Sequence, residues 1–391
     1  MRRPIFRTFD TAGRPGVRFG FRGACAVLCM LLAYSHASAA RGTASGSVVA
    51  PPVFSTAPAQ NGAVLLSIAL STPGSSKGAA VHYTVDGTMP TASSPTYVAP
   101  ILVFSKLIFQ AIATTSAGES SGVARWTMPR SVASGTLVWS DEFTNTTGSK
   151  GQPNPAVWGY NTGGDGWGNG ELETYCGWES SIGPCNPANP SGYVGTDGIL
   201  HIVAGQPSPG VYTSARVLSQ GRFSILYGRV EARIQVPEAQ GLWPAFWTLG
   251  NNEPIAGWPA SGEIDIQERV NAAGTPDWNE GSVHGPGFTG ANLGTEYHFP
   301  SGQTAGGFHT YGLIWSPGKV QFYLDSPANI YATYTPASLT SLKGAAWPFD
   351  SGNAEFILLN LAVGGTWPGL PNSSTPFPSE MLVDYVRVFA Y

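Results

Sequence analysis

"YGRVEARIQV", residues 227–236, sets Val230, Ala232, Ile234 and Val236 against Arg229, Glu231, Arg233 and Gln235. Strict alternation is the period of a β-strand with one dry face and one wet face. Strand-like stretches recur to the end of the chain, among them "LVWSDEF", "GILHIVA", "PAFWTLG", "GLIWSPGKVQFYLD", "EFILLNLAV" and "MLVDYVRVFAY", with no long helical period between them. Composition agrees. Only 11% of the 391 residues are charged, while Gly and Pro number 50 and 32; long helices would need more Ala, Glu, Lys and Leu. The expected fold class is all-β. Residues 136–391 read as two stacked antiparallel sheets, a jelly-roll β-sandwich.

The earlier part of the chain divides further. Residues 1–40 carry six Arg against one Asp, then the apolar run Gly23–Tyr34 and "HASAA". A basic region, a short apolar region and an A-x-A site describe a secretory signal peptide, and twelve apolar residues fall short of the ~20 that span a membrane. Its removal would take the net charge from −4 to about −9. An acidic chain has no reason to seek nucleic acid or anionic lipid, so neither is an expected partner, and the protein is expected to be secreted or periplasmic.

Residues 41–50 read as a linker. Residues 51–129 form a series of short alternating segments with turn signals such as "TPGSS" and "DGTMPTASSP" between them, a small β-sandwich. "HYTVDGTMPTASSPTYVAPILV" resembles the immunoglobulin-like module appended to chitobiases and many secreted glycan-degrading enzymes. The resemblance implies an accessory role, and a plain spacer that the rest could do without is the simpler reading. "RSVASG", residues 130–135, reads as a second linker. Cys25 and Cys29 fall in the signal segment, leaving Cys176 and Cys185 to form one disulfide in an exported chain.

"GEIDIQERV", residues 262–270, holds three acids with uneven spacing: Glu263 and Asp265 are two apart, Glu268 three further on. Strict alternation would bury Glu268, and a buried unpaired carboxylate is costly. One extra residue, a β-bulge, brings Glu268 back beside the others. Three close carboxylates cannot all ionise at their ordinary pH, and carboxylates with separated pKa values are what glycoside hydrolysis uses. The plainer alternative is a solvated acidic stripe. Against it stand eleven of the twelve Trp between residues 139 and 367, with Trp243 and Trp247 shortly before the acids. Tryptophan faces stack on sugar rings, which suits an oligosaccharide cleft.

Taken together, "VWSDEF", "WGNGELETY", "SARVLSQGRFSILYGRVEARIQVP", "GLWPAFWTLG", "SGEIDIQE", "SVHGPGFTG", "LLNLAVGGTWPG" and "MLVDYVRV" resemble glycoside hydrolase family 16, in its laminarinase-like endo-β-1,3-glucanase branch. The resemblance implies retaining endo-hydrolysis of a β-glucan, extending to mixed β-1,3/1,4 chains, by a monomer that requires no cofactor. It assigns Glu263 as nucleophile, Asp265 as its electrostatic helper and Glu268 as general acid/base. Asn169, Arg216, Trp243, Trp247 and His284 match positions that contact the glucan. Glu142 and Asp384 match part of a structural calcium site. The chain departs from the pattern at Glu173, where Gln is commoner, and in the longer loop "CGWESSIGPCNPANPSGY". Other functions on the same scaffold are a non-catalytic β-glucan recognition protein, a transglycosylase and a galactanase; retention of all three acids argues against pure recognition.

Overall fold

The computed structural model describes residues 49–71, 78–270 and 277–391. The signal segment, most of the first linker and "TPGSS" lie outside the described residues. Strands dominate, and no helix among the described residues is long and apolar enough to cross a membrane.

The alternation at 227–236 becomes the strand Gly228–Gln235, with Val230, Ala232 and Ile234 fully buried. It sits centrally in a ten-stranded sheet, between His309–Ser316 and Ser379–Phe389. Its other face is less wet than alternation suggests. Glu231 is buried there, accepting hydrogen bonds from Tyr323 and Arg229, and the Arg229 guanidinium lies 3.6 Å from the Phe389 ring centre. A charge can be covered at this position because Arg229, two residues back on the same strand, pairs with it and Tyr323 arrives from a strand far off in sequence.

The facing sheet carries Gly159–Asn161, Arg216–Leu218, Glu355–Val363, Leu242–Gly250, Glu263–Glu268, Trp278–His284 and Gly294–His298 as neighbours in that order. Its inner face supplies Leu242, Phe246, Ile264, Ile357, Leu359 and Leu361 to the core shared with the first sheet. This is the expected sandwich.

Residues 53–127 form two small sheets, Val53–Pro58, Val64–Ala69 and Ile101–Val103 in one, and Ala80–Thr84, Ile108–Thr114 and Ala124–Thr127 in the other. The first does not end at the module. Ile101–Val103 pairs in parallel with Ser224–Ile225, which pairs with Glu355–Val363, so one eleven-stranded sheet runs through both regions. Ser224 donates from N and Oγ to Pro100 O at 2.9 Å, and Ala354 N donates to Tyr83 Oη at 3.2 Å. Gly228, at φ +116°, leaves space for Phe104: a Cβ there would come within 2.9 Å of its ring. Residues 130–135 also engage, Val132 N donating to Phe104 O. Side chains from both regions join one core. The simple-spacer expectation therefore gives way to a module built into the sandwich.

Candidate active site

The bulge is where the acid spacing requires it. Across the pairing with Leu242–Gly250, Gln267 lies opposite Phe246 and Asp265 opposite Trp247, so Ile266 is the extra residue. On the other side Asp265 faces Ser282 and Glu268 faces Glu280, again with one residue too many. Ile264 and Ile266 are buried in the core, and Glu263, Asp265 and Glu268 share the opposite, cleft face.

Each acid has a specific partner. Trp258 Nε1 donates to Glu263 Oε2 at 3.1 Å, Ser282 Oγ to Asp265 Oδ2 at 2.7 Å, and Trp243 Nε1 to Glu268 Oε1 at 2.9 Å. His284 lies opposite Glu263 in register. Its Nδ1 accepts from Gly290 N at 3.2 Å, which places the ring proton on Nε2, 3.0 Å from Asp265 Oδ2 and 3.7 Å from Glu263 Oε1. Carboxylate oxygens of Glu263 and Asp265 and a His284 ring nitrogen all lie within 4.8 Å of one another.

Burial, then the Asp265 carboxylate, pushes both Glu263 and Glu268 well above the usual carboxylate range. Their further neighbours differ. The Trp258 N–H and the Arg216 charge pull Glu263 down while Glu355 pushes it up; Glu280 pushes Glu268 up while His284 pulls it down. Carboxyls coupled in this way do not ionise together, which is the condition for one to attack while the other carries a proton. Glu280, 1% exposed and in register with Glu268, is a fourth carboxylate on this face. Removing its charge favours ionised Glu268, so Glu280→Gln should move the alkaline limb of the kcat/KM profile to lower pH, by about one unit. A limb that stays put in a pH–rate series would remove Glu280 from this role.

The other flank is built on Arg216. Its guanidinium lies 4.8 Å from the Trp167 ring centre, 4.7 Å from Tyr175 and 5.7 Å from Trp247, with Glu171 Oε2 at 3.6 Å. Asn169 Nδ2 and Tyr175 Oη both donate to Glu171, and Trp247 Nε1 donates to Asn360, which donates in turn to Tyr175. Asn169, Arg216 and Trp247 are thus brought together. Burial and then the Glu171 charge raise Glu173 well above its ordinary range; one of its oxygens takes Val363 N at 2.7 Å. Trp243 belongs to the opposite flank, 8% exposed and edge-on to Trp367. Its indole N–H holds Glu268, and its ring is buried.

Sequence reasoning missed Ser282 and Glu280, which reach the acid row through strand register, Asn360, which reaches Trp247 and Tyr175 from a neighbouring strand, and Trp258, which reaches Glu263 from the turn before its strand. Trp258 alone had a local signal, five residues before Glu263. Cys176 and Cys185 are bonded as expected. Glu142 and Asp384 do not fit a calcium site. Glu142 makes two hydrogen bonds to Arg387, at 2.9 and 2.8 Å, and Asp384 takes Arg233 at 2.6 Å, so each carboxylate is already matched by a different guanidinium.

Comparison with known proteins agrees with this geometry. Residues 195–375 match the family of glycosyl hydrolases family 16, and residues 60–125 match the chitobiase/beta-hexosaminidase C-terminal domain. A beta-glucanase of Rhodothermus marinus is 36% identical over 265 residues, covering 65% of this chain and 85% of the relative. A glucan endo-1,3-beta-glucosidase A1 of Niallia circulans is 33% identical, covering 66% of this chain but 38% of the relative. The laminarinase catalytic domain from Thermotoga maritima MSB8 superposes with a TM-score of 0.56 at 36% identity, covering 66% of this chain and 98% of that one. An acid row completed by a bulge, on a sandwich that these enzymes share, makes the chain a glycoside hydrolase belonging to family 16.

Proposed function

We propose that the cleft cuts β-1,3-glucan internally by double displacement with retention, and accepts mixed β-1,3/1,4 chains. The bulge at Ile266, which sets Glu268 in one row with Glu263 and Asp265, carries this reading. The names of the relatives support the substrate class.

Glu263, ionised, attacks the anomeric carbon through Oε1, since Trp258 holds Oε2. Glu268 gives its proton to the departing glycosidic oxygen; Trp243 holds Oε1, leaving Oε2 to carry that proton. The C–O bond to the leaving chain breaks as the Glu263–sugar bond forms. Glu268, now a carboxylate, takes a proton from water, which displaces Glu263 and regenerates both groups. Asp265, fixed by Ser282 and His284, holds the field beside the nucleophile. This chemistry calls for no cofactor. Residues 1–40 support export as the setting.

The test is a reducing-sugar assay on laminarin, lichenan, agarose and carrageenan, with NMR of the first product formed. Laminarin cleavage giving the β-anomer first is expected. First-formed α-anomer would overturn retention, cleavage of a galactan alone would overturn the substrate, and sugar transferred to sugar in place of water would make the enzyme a transglycosylase.

A further inference from the structure

A second concavity lies outside the cleft. It encloses about 430 Å³ between the continuation of the disulfide loop, the strand Leu200–Ser208 and the segment around Phe377. That volume is in the range of small-ligand sites, ~300–1000 Å³. The reaction at Glu263 and Glu268 uses none of its residues.

Its polar groups form one connected array. Lys150 Nζ donates to Asn189 Oδ1 at 2.9 Å and sits 4.0 Å from the centre of the Tyr193 ring. The other face of the array continues through His201, stacked on Tyr193 at 4.8 Å, to Glu380 Oε2 at 2.8 Å. Groups already held by one another lose little freedom when a ligand arrives. Gln206 adds an exposed amide and Phe377, packed on Tyr212, a partly open ring. One cation, one carboxylate, amides and an apolar ring suit a neutral polyhydroxylated ligand; a charged ligand would leave one of the two charges opposed.

The groove also has a suitable position. Thr213 lines it, and the strand Val211–Ser214 pairs with Glu173–Tyr175, whose Glu173 and Tyr175 belong to the Arg216 flank of the cleft. We propose that this groove is a second, non-catalytic binding site for a neutral polysaccharide, namely another stretch of the β-glucan chain engaged by the cleft. The identity of the glycan rests on the function proposed above. Two linked weak sites on one polymer bind far more tightly than either alone, by up to ~10²–10⁴-fold, so the effect should be large on polymer and small on short oligosaccharides.

Two full-length variants test this, Lys150→Ala/Gln206→Ala and Asn189→Trp, all at exposed positions, the second filling the groove. Each is made in the active enzyme and with Glu263→Ala. The measurements are depletion of the inactive protein onto insoluble β-1,3-glucan particles, and the ratio of turnover on those particles to turnover on a short soluble laminari-oligosaccharide. Both should fall by roughly ten-fold. Unchanged adsorption and an unchanged ratio would overturn the site. So would an equal loss on both substrates, which would mark the residues as structural. Failure of the wild type to cleave any laminari-oligosaccharide would strike the cleft reading alone, because adsorption of the inactive protein still reports on the groove.

Discussion

Glu263→Ala should lower kcat on laminarin by roughly 10⁴-fold or more, with the melting temperature little changed. In the proposed mechanism this carboxylate forms the covalent bond, and no neighbour is placed to replace it. Asp265 is fixed by Ser282 and His284, and Glu268 is on the far side of the bulge, bonded to Trp243. Truncation opens space beside Trp258, which azide can occupy. Azide should attack the anomeric carbon from the vacated side, restoring part of the rate and giving a glycosyl azide of inverted configuration. Its protonated partner Glu268 still assists departure of the leaving chain. A variant keeping a tenth of the wild-type rate would show that another group is the nucleophile.

Deleting residues 49–129 should lower the melting temperature by ~10 °C or more, or leave the remainder insoluble. The module's spacer reading, taken from sequence alone, made residues 130–391 sufficient for activity. In the structure, removal strips Ile101–Val103 from Ser224–Ile225, takes Tyr83 from Ala354 N, and uncovers the place beside Gly228 that Phe104 fills. Ile101, Leu102 and Phe104 are all nearly fully buried. Burial of such a side chain is worth about 1.5–3 kcal/mol, and for a domain of this size 1 kcal/mol shifts melting by ~2–4 °C. Glu355, paired with Ile225, lies beside the junction; burial has pushed it up to about 8, a sign of how dry this region is kept. A soluble fragment that melts with the full chain would show that the shared sheet adds no stability.

The row of acids was legible because its spacing violates the strand period, and one residue of insertion is the cheapest remedy. The sandwich was legible for the same local reason, since alternation at 227–236 is a property of consecutive residues. What escaped notice depends on register. Ser282 and Glu280 meet Asp265 and Glu268 only after two strands pair with a bulge between them, and Asn360 reaches Trp247 from a third. Glu231 reads as solvated until Tyr323 and Arg229 close over it. Glu142 and Asp384, read from sequence as part of a calcium site, are taken instead by arginines from other parts of the strand network.

The parallel pairing of Ile101–Val103 with Ser224–Ile225 bears on how the chain must be made. Each would be an open edge without the other, a row of unpaired N–H and C=O groups able to recruit a strand from a second molecule. The N-terminal edge leaves the ribosome first and waits for its partner. That partner is itself held by Glu355–Val363, close to the end of the chain. Both edges therefore stay open until Glu355–Val363 has been made, and closure depends on contacts between residues far apart in sequence, which form slowly. Until then these two edges are an aggregation hazard of the unfinished chain.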